Sequence, residues 1–154
     1  MNILVDADAC PVKESILRCA KKHDIPVLMV CDVAHLLSYE EPLVTVLTVD
    51  QGADSADLVL ANQTTADDIC VTQDYGLAAL LLAKGAIVLH PNGFFYRQET
   101  IDRMLFERHI SRELRRKKKG RSGQMQKRTK EADEAFSLAL EQAITQKKRS
   151  HTLS

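Results

Sequence analysis

The chain has 154 residues and a mass of 17.2 kDa, 45% apolar and 27% charged, which is the make-up of one domain around a single core. No run of about 18 apolar residues occurs, which excludes an ordinary membrane-spanning helix. The formal net charge of zero hides a split: residues 1–96 carry 5 Lys+Arg against 13 Asp+Glu, a net of −8, and residues 97–154 carry 16 against 8, a net of +8. An acidic body joined to a basic tail points to a polyanion partner or an internal electrostatic clasp.

Asn2-Ile-Leu-Val-Asp6 is a short apolar run ending in an acid and reads as a buried strand. Pro11 stands where a first helical turn tolerates proline, and Val12, Ile16, Leu17 and Ala20 follow at helical spacing to about Lys22. Ile25 to Cys31 is a second strand, and Leu43 to Val49, rich in β-branched residues, a third. Ser55 to Asn62 reads as a short helix, Ile69 to Gln73 as a fourth strand, Leu77 to Lys84 as a helix stopped by Gly85, and Ala86 to His90 as a fifth strand. Short apolar strands alternating with helices predict βα units and a parallel sheet, an α/β fold.

Beyond Pro91-Asn92-Gly93 the character changes. Gln98 to Lys119 is a charged helical stretch with Phe106, Ile110 and Leu114 in one stripe and Arg108, Arg112, Arg115 and Lys119 roughly opposite. Gly120-Arg-Ser-Gly123 is a breaker-rich basic loop. Glu131 to Gln146 is amphipathic, with Ala132, Ala135, Phe136, Ala139, Leu140, Ala143 and Ile144 at three- and four-residue spacing. That stripe must be buried, on the sheet or on a second subunit, so a homo-oligomer through this helix is one expectation. Residues 148–154 read as a flexible tail.

Several chemistries lose their best signal. Cysteines stand at 10, 19, 31 and 70, none in a C-x-x-C pair, and no two histidines have ligand spacing, so neither a structural zinc site nor a disulfide framework is expected. G-x-G-x-x-G, the Walker A lysine motif and G-x-S-x-G are missing. Met1 to Asp6 carries no basic segment or cleavage site, so no signal peptide is expected and the expected location is cytoplasmic, with no membrane partner.

What remains is acid at the strand ends. In a parallel sheet, ligands bind beyond the carboxyl ends of the strands. Asp6 ends the first strand, with Asp8 two residues on, and Asp74 follows the fourth. Asp54 and Asp57 stand three apart where the helix after the third strand begins. Crowded carboxylates repel, and hard oxygen donors call for Mg²⁺ or Mn²⁺, which can promote phosphodiester hydrolysis. Asp50, Asp67 and Asp68 read instead as loop and cap residues. Cys10 reads as a small buried residue rather than a nucleophile, and His90 is the one histidine at a strand end.

The stretches Val5-Asp-Ala-Asp-Ala-Cys-Pro-Val-Lys13, Gly52-Ala-Asp-Ser-Ala-Asp57, Val71-Thr-Gln-Asp-Tyr-Gly-Leu-Ala78 and Lys84-Gly-Ala-Ile-Val-Leu-His-Pro-Asn-Gly93 resemble the bacterial YaiI/YqxD family over nearly the whole chain. That family looks PIN-like. The resemblance implies a three-layer fold with a central, mostly parallel five-stranded sheet and a helical C-terminal extension. It divides the chain into a PIN-like domain over 1–96, a basic helical extension over 97–147 packing on it, and the tail. PIN domains are mostly metal-dependent ribonucleases. Their pattern matches Asp6 and Asp8 after the first strand, Asp54 or Asp57 at a helix start, and Thr72-Gln73-Asp74 after the fourth strand. A further middle-helix Glu of many PIN domains has only Glu40, Glu41 or Asp50 to stand in for it. The Gly-Gly-Pro usual in YaiI/YqxD tails is replaced by Arg121-Ser-Gly-Gln124.

The functional expectation is therefore a metal-dependent nuclease, RNA favoured. Asp6, Asp8 and Asp74 are its catalytic candidates, and Asp6, Asp54, Asp57 and Asp74 hold the metal. Arg108, Arg112, Arg115, Arg116, Lys117, Lys118, Lys119 and Arg121 neutralise phosphates. Two readings compete. One is a nucleic-acid-binding or regulatory module with a degenerate site. The other is a haloacid-dehalogenase-type phosphatase, because Val5-Asp-Ala-Asp8 mimics its nucleophile motif, although Cys10 stands where Thr is usual.

Overall fold

The computed structural model describes residues 1–8, 10–32, 41–50, 55–117 and 127–153. Strands β1 (Ile3–Asp6), β2 (Val27–Asp32), β3 (Val44–Val49), β4 (Ile69–Val71) and β5 (Ile87–Leu89) alternate with helices α1 (Lys13–His23), α2 (Ser55–Gln63) and α3 (Tyr75–Ala83). Two more helices, α4 (Gln98–Lys117) and α5 (Lys130–Thr152), follow. The strands form one sheet in the order β3-β2-β1-β4-β5, with every pairing parallel. The chain thus steps outward from β1 through β2 to β3, then crosses over to build β4 and β5 on the other side. The reversal falls between β1 and β4, the position where an open parallel sheet leaves a crevice beyond its carboxyl ends.

Alternation along the strands sorts the core into two layers. Ile3, Val5, Val27, Met29, Ile69 and Val71 face α1 and α5, where they meet Ile16, Phe136, Leu140 and Ile144. Leu4, Val30, Cys70 and Val88 face the other way, onto Leu60 of α2, Leu77 and Leu81 of α3 and Ile101 of α4. Helices therefore cover both faces, giving three layers. Each fully buried Leu, Ile or Phe side chain contributes roughly 1.5–3 kcal/mol.

The apolar stripe of α5 is buried on the chain's own sheet and α1: Phe136, Leu140, Ala143 and Ile144 are fully covered. The stripe of α4 behaves differently. Ile101 is buried, but Phe106, Ile110 and Leu114 are exposed. The side of the helix that meets the body carries Ile101 and Met104 and, further along, the exposed Arg108, Arg112 and Arg115.

The expected loose end from residue 148 is a correction: α5 runs on to Thr152. The apolar periodicity stops at Ile144, but Gln146, Lys147, Lys148 and Arg149 are good helix formers. Anchors at the amino-terminal edge of the sheet add to this. Lys147 donates to the Ala66 carbonyl, and His151 pairs with Asp67, which also holds the Met1 amine at 2.8 Å. Asp68 accepts from the Asn2 amide and from Thr65, so Asp67 and Asp68 do serve turns and termini. Among the described residues no helix is long and apolar enough to cross a membrane.

Candidate metal centre and phosphate groove

Asp6 ends β1 and Thr72 follows β4, so the two adjacent strands bring residues 66 apart into contact. The Thr72 hydroxyl donates to Asp6 Oδ2 at 2.9 Å and accepts from the Asp74 amide at 3.0 Å. One buried hydroxyl thus ties both aspartates to the crevice between β1 and β4. Tyr96 donates to the Thr72 carbonyl at 3.1 Å and fixes that residue from behind. Asp74 is also the N-cap of α3: its Oδ1 accepts from Gly76 at 2.9 Å and Leu77 at 3.1 Å. Both bonds fall on Oδ1, and Oδ2 accepts none from the described residues.

Asp8 reaches across the rim to β2, where both its oxygens accept from the Asp32 amide, at 3.0 and 3.1 Å. Electrostatics record the crowding. The Asp6 carboxyl is held above the usual carboxylate range, first by burial and then by repulsion from Asp8 and Asp74, with the Thr72 bond opposing. Asp8 and Asp74 are therefore both close enough for Asp6 to feel their charge. Their all-oxygen character fits a hard divalent cation such as Mg²⁺ or Mn²⁺, whose charge would remove that repulsion.

The other candidates are placed less decisively. Asp57 lies in the first turn of α2, which the crossover from β3 starts at the same carboxyl-end edge. Asp54 and Glu40 lie outside the described residues. Glu41 precedes β3 and pairs with Lys21 near the end of α1, at 3.4 Å. It is therefore at the opposite edge and is no substitute for a middle-helix Glu, whereas Asp50 directly follows β3. Burial pushes the Cys10 thiol up, which argues against a nucleophile. His90 stacks on Phe94 with ring centroids 4.4 Å apart, and its Nδ1 accepts from the Asn92 amide at 2.9 Å. Burial, and then the Arg128 charge, lower its pKa to about 4, so it is a neutral, structural ring at pH 7.

Beside Asp74 the rim opens into a groove of about 510 Å³ between the β4–α3 junction and α4, lined by Gln73, Tyr75, Met104, Arg108, Arg112 and Arg115 among others. Three of the eight basic candidates thus share one wall, spaced along a single helix face. Arg116 points elsewhere and pairs with Glu113 at 3.8 Å. Lys117 is the last residue of α4, and Lys118, Lys119 and Arg121 lie outside the described residues.

The sequence pointed to neither Asp32 nor the bond Tyr96 makes to Thr72; Tyr96 reads there only as one of three clustered aromatics, with Phe94 and Phe95, for base stacking or for the core. Asp32 was within reach, since it ends an apolar strand just as Asp6 does. The role of Tyr96, set by one long-range bond, carried no local signal.

The sequence profile described as "Uncharacterized BCR, YaiI/YqxD family" matches residues 4–146. Among similar curated proteins, a UPF0178 protein of Ruminiclostridium cellulolyticum is 54% identical over 140 residues, covering 91% of this chain and 90% of its own. UPF0178 proteins of Alkaliphilus oremlandii and Natranaerobius thermophilus are 50% and 45% identical, covering 88% and 97% of this chain and 86% and 100% of their own. No solved structure matches. With a fold of the expected kind and near-complete coverage, the chain belongs to the YaiI/YqxD family.

Proposed function

We propose that the protein is a metal-dependent nuclease that hydrolyses phosphodiesters, with RNA as the favoured substrate. The observation that carries this reading is the joining of Asp6 and Asp74 through Thr72 at the sheet's crevice, with the arginine groove opening beside Asp74. Asp6 and Asp74 would hold Mg²⁺ or Mn²⁺, with Asp8 beside them and Asp54 or Asp57 as further ligands. An ion bound there supplies charge stabilisation and a more acidic water for attack at phosphorus.

The chain's own residues do the rest. Thr72 anchors Asp6 by donating its buried hydroxyl to Oδ2. Arg108, Arg112 and Arg115 neutralise successive phosphates, so the strand lies along α4 with one phosphate directed to the rim. Tyr75 offers the groove an aromatic edge for a base. The test is cleavage of labelled single-stranded RNA by purified protein with Mn²⁺. Wild type cleaves, and Asp6→Asn and Asp74→Asn each lose about 100-fold or more in rate. Equal inertness of wild type and both variants contradicts the reading.

One observation favours a second reading, a binding module with a degenerate site: Asp74 already serves α3 as its cap. Calorimetric titration with Mn²⁺ separates the two. A binding module gives no heat that depends on Asp6.

A further inference from the structure

Away from the rim, α1 and α5 face each other near the amino-terminal edge of the sheet. Cys19 and His23 stand one turn apart on α1, and Glu141 of α5 reaches between them. The Cys19 thiol donates to Glu141 Oε1 at 3.4 Å, and His23 Nε2 lies 2.7 Å from Oε2. One sulfur, one imidazole nitrogen and one carboxylate oxygen all fall within 4.8 Å of one another. Cys19 is buried, and His23 and Glu141 are half-buried. Neither a C-x-x-C pair nor paired histidines announce this set. Its local signature is only the i, i+4 spacing of Cys19 and His23, and the third member is 118 residues from His23.

We propose that Cys19, His23 and Glu141 form a second cation site, for Zn²⁺ rather than Mg²⁺, that clamps α5 onto α1. The donor chemistry carries this choice. Thiolate and imidazole select a borderline-soft ion, whereas the rim offers oxygens only. Three protein ligands leave one tetrahedral position for water. In the metal-free chain the set is knit by hydrogen bonds and flanked by two exposed lysines. The Lys22 amine lies 3.2 Å from Glu141 Oε1, and the Lys148 amine 3.2 Å from His23 Nδ1.

Binding has a definite proton balance. The Cys19 thiol proton leaves to solvent as the Zn–S bond forms. His23 offers the Nε2 lone pair and carries its proton on Nδ1, so the Lys148 amine swings out into water. The benefit falls on α5, whose Phe136, Leu140 and Ile144 complete one layer of the core.

Co²⁺ is the probe, added to the full chain after chelator treatment and in the presence of Mg²⁺. One Co²⁺ binds per chain, with a thiolate-to-cobalt charge-transfer band and the visible bands of a tetrahedral ion. Excess Zn²⁺ displaces it and raises Tm by about 5 °C. Cys19→Ala removes the charge-transfer band, Cys10→Ala keeps it, and His23→Gln and Glu141→Gln each weaken binding at least about tenfold. No charge-transfer band in the wild type, or one that survives Cys19→Ala, overturns the proposal. Should Cys19→Ala not fold, unchanged Co²⁺ affinity in both His23→Gln and Glu141→Gln overturns it equally. RNA cleavage is no part of this readout, so its failure and that of the nuclease reading stay separate.

Discussion

At the scale of single residues, Asp6 is placed against the stability of the metal-free chain. Its folded pKa is raised by burial and by Asp8 and Asp74. A carboxyl raised on folding contributes stability that is fully present below its unfolded pKa and is lost as pH rises through its folded value. At pH 7 without metal Asp6 therefore costs stability relative to low pH. Asp6→Asn, which keeps an acceptor for the Thr72 hydroxyl, should melt a few degrees higher than wild type at pH 7. That gain should vanish below about pH 4, while the rise in Tm that Mn²⁺ gives wild type should disappear in the variant at pH 7. Thermal scans at several pH values check both parts. Thr72→Val tests the same node from the other side. It keeps the volume but leaves Asp6 Oδ2 and the Asp74 amide without their shared partner, and should cost about 1–3 kcal/mol in urea unfolding.

At the scale of elements, the turn after β5 and the helix α5 are fitted to each other. Gly93 has φ +93° and approaches α5 so closely that an added Cβ would lie 2.6 Å from the Ala135 carbonyl carbon and 2.8 Å from the Phe136 amide. Both contacts are backbone and cannot rotate away. Gly93→Ala should therefore destabilise by about 3 kcal/mol or more, from left-handed strain plus displacement of α5. Chemical denaturation measures it. The same two elements show what the sequence could disclose. The stripe through Phe136, Leu140 and Ile144 announces a buried face by period alone, and its burial on the sheet follows. For α4 the period alone says less. Phe106, Ile110 and Leu114 form an equally regular stripe, yet it is exposed, because Ile101 and Met104 are the side chains of α4 that meet the core and the same side carries Arg108, Arg112 and Arg115 along the groove. A helix's outward face depends on what its neighbours leave room for, which no local pattern encodes.

For the whole molecule, strand and helix positions were legible because the strands are apolar and the helices are punctuated by Pro, Gly and charge. The strand order was not, since β1 pairs with β4 across an interval that residue patterns leave open. That order makes Asp6 and Asp74 neighbours. It also turns the charge split into geometry, with an acidic rim and a basic wall meeting at the β4–α3 junction. Affinity for single-stranded RNA should fall with salt. Replacing Arg108, Arg112 and Arg115 together by Ala should flatten the slope of log K against log[salt] by about 2, at roughly 0.7 per phosphate contact. Binding isotherms at four or five salt concentrations decide this, and an unchanged slope would remove those arginines from the interface.

The central claim is that a hard divalent cation belongs among the carboxylates where β1 and β4 part. Anomalous scattering from a crystal soaked in Mn²⁺ addresses it most directly. The account predicts a peak about 2–2.5 Å from oxygens of both Asp6 and Asp74, absent from Asp6→Asn crystals soaked alike. A crystal with no peak at that rim, or with one that persists in Asp6→Asn, would contradict it.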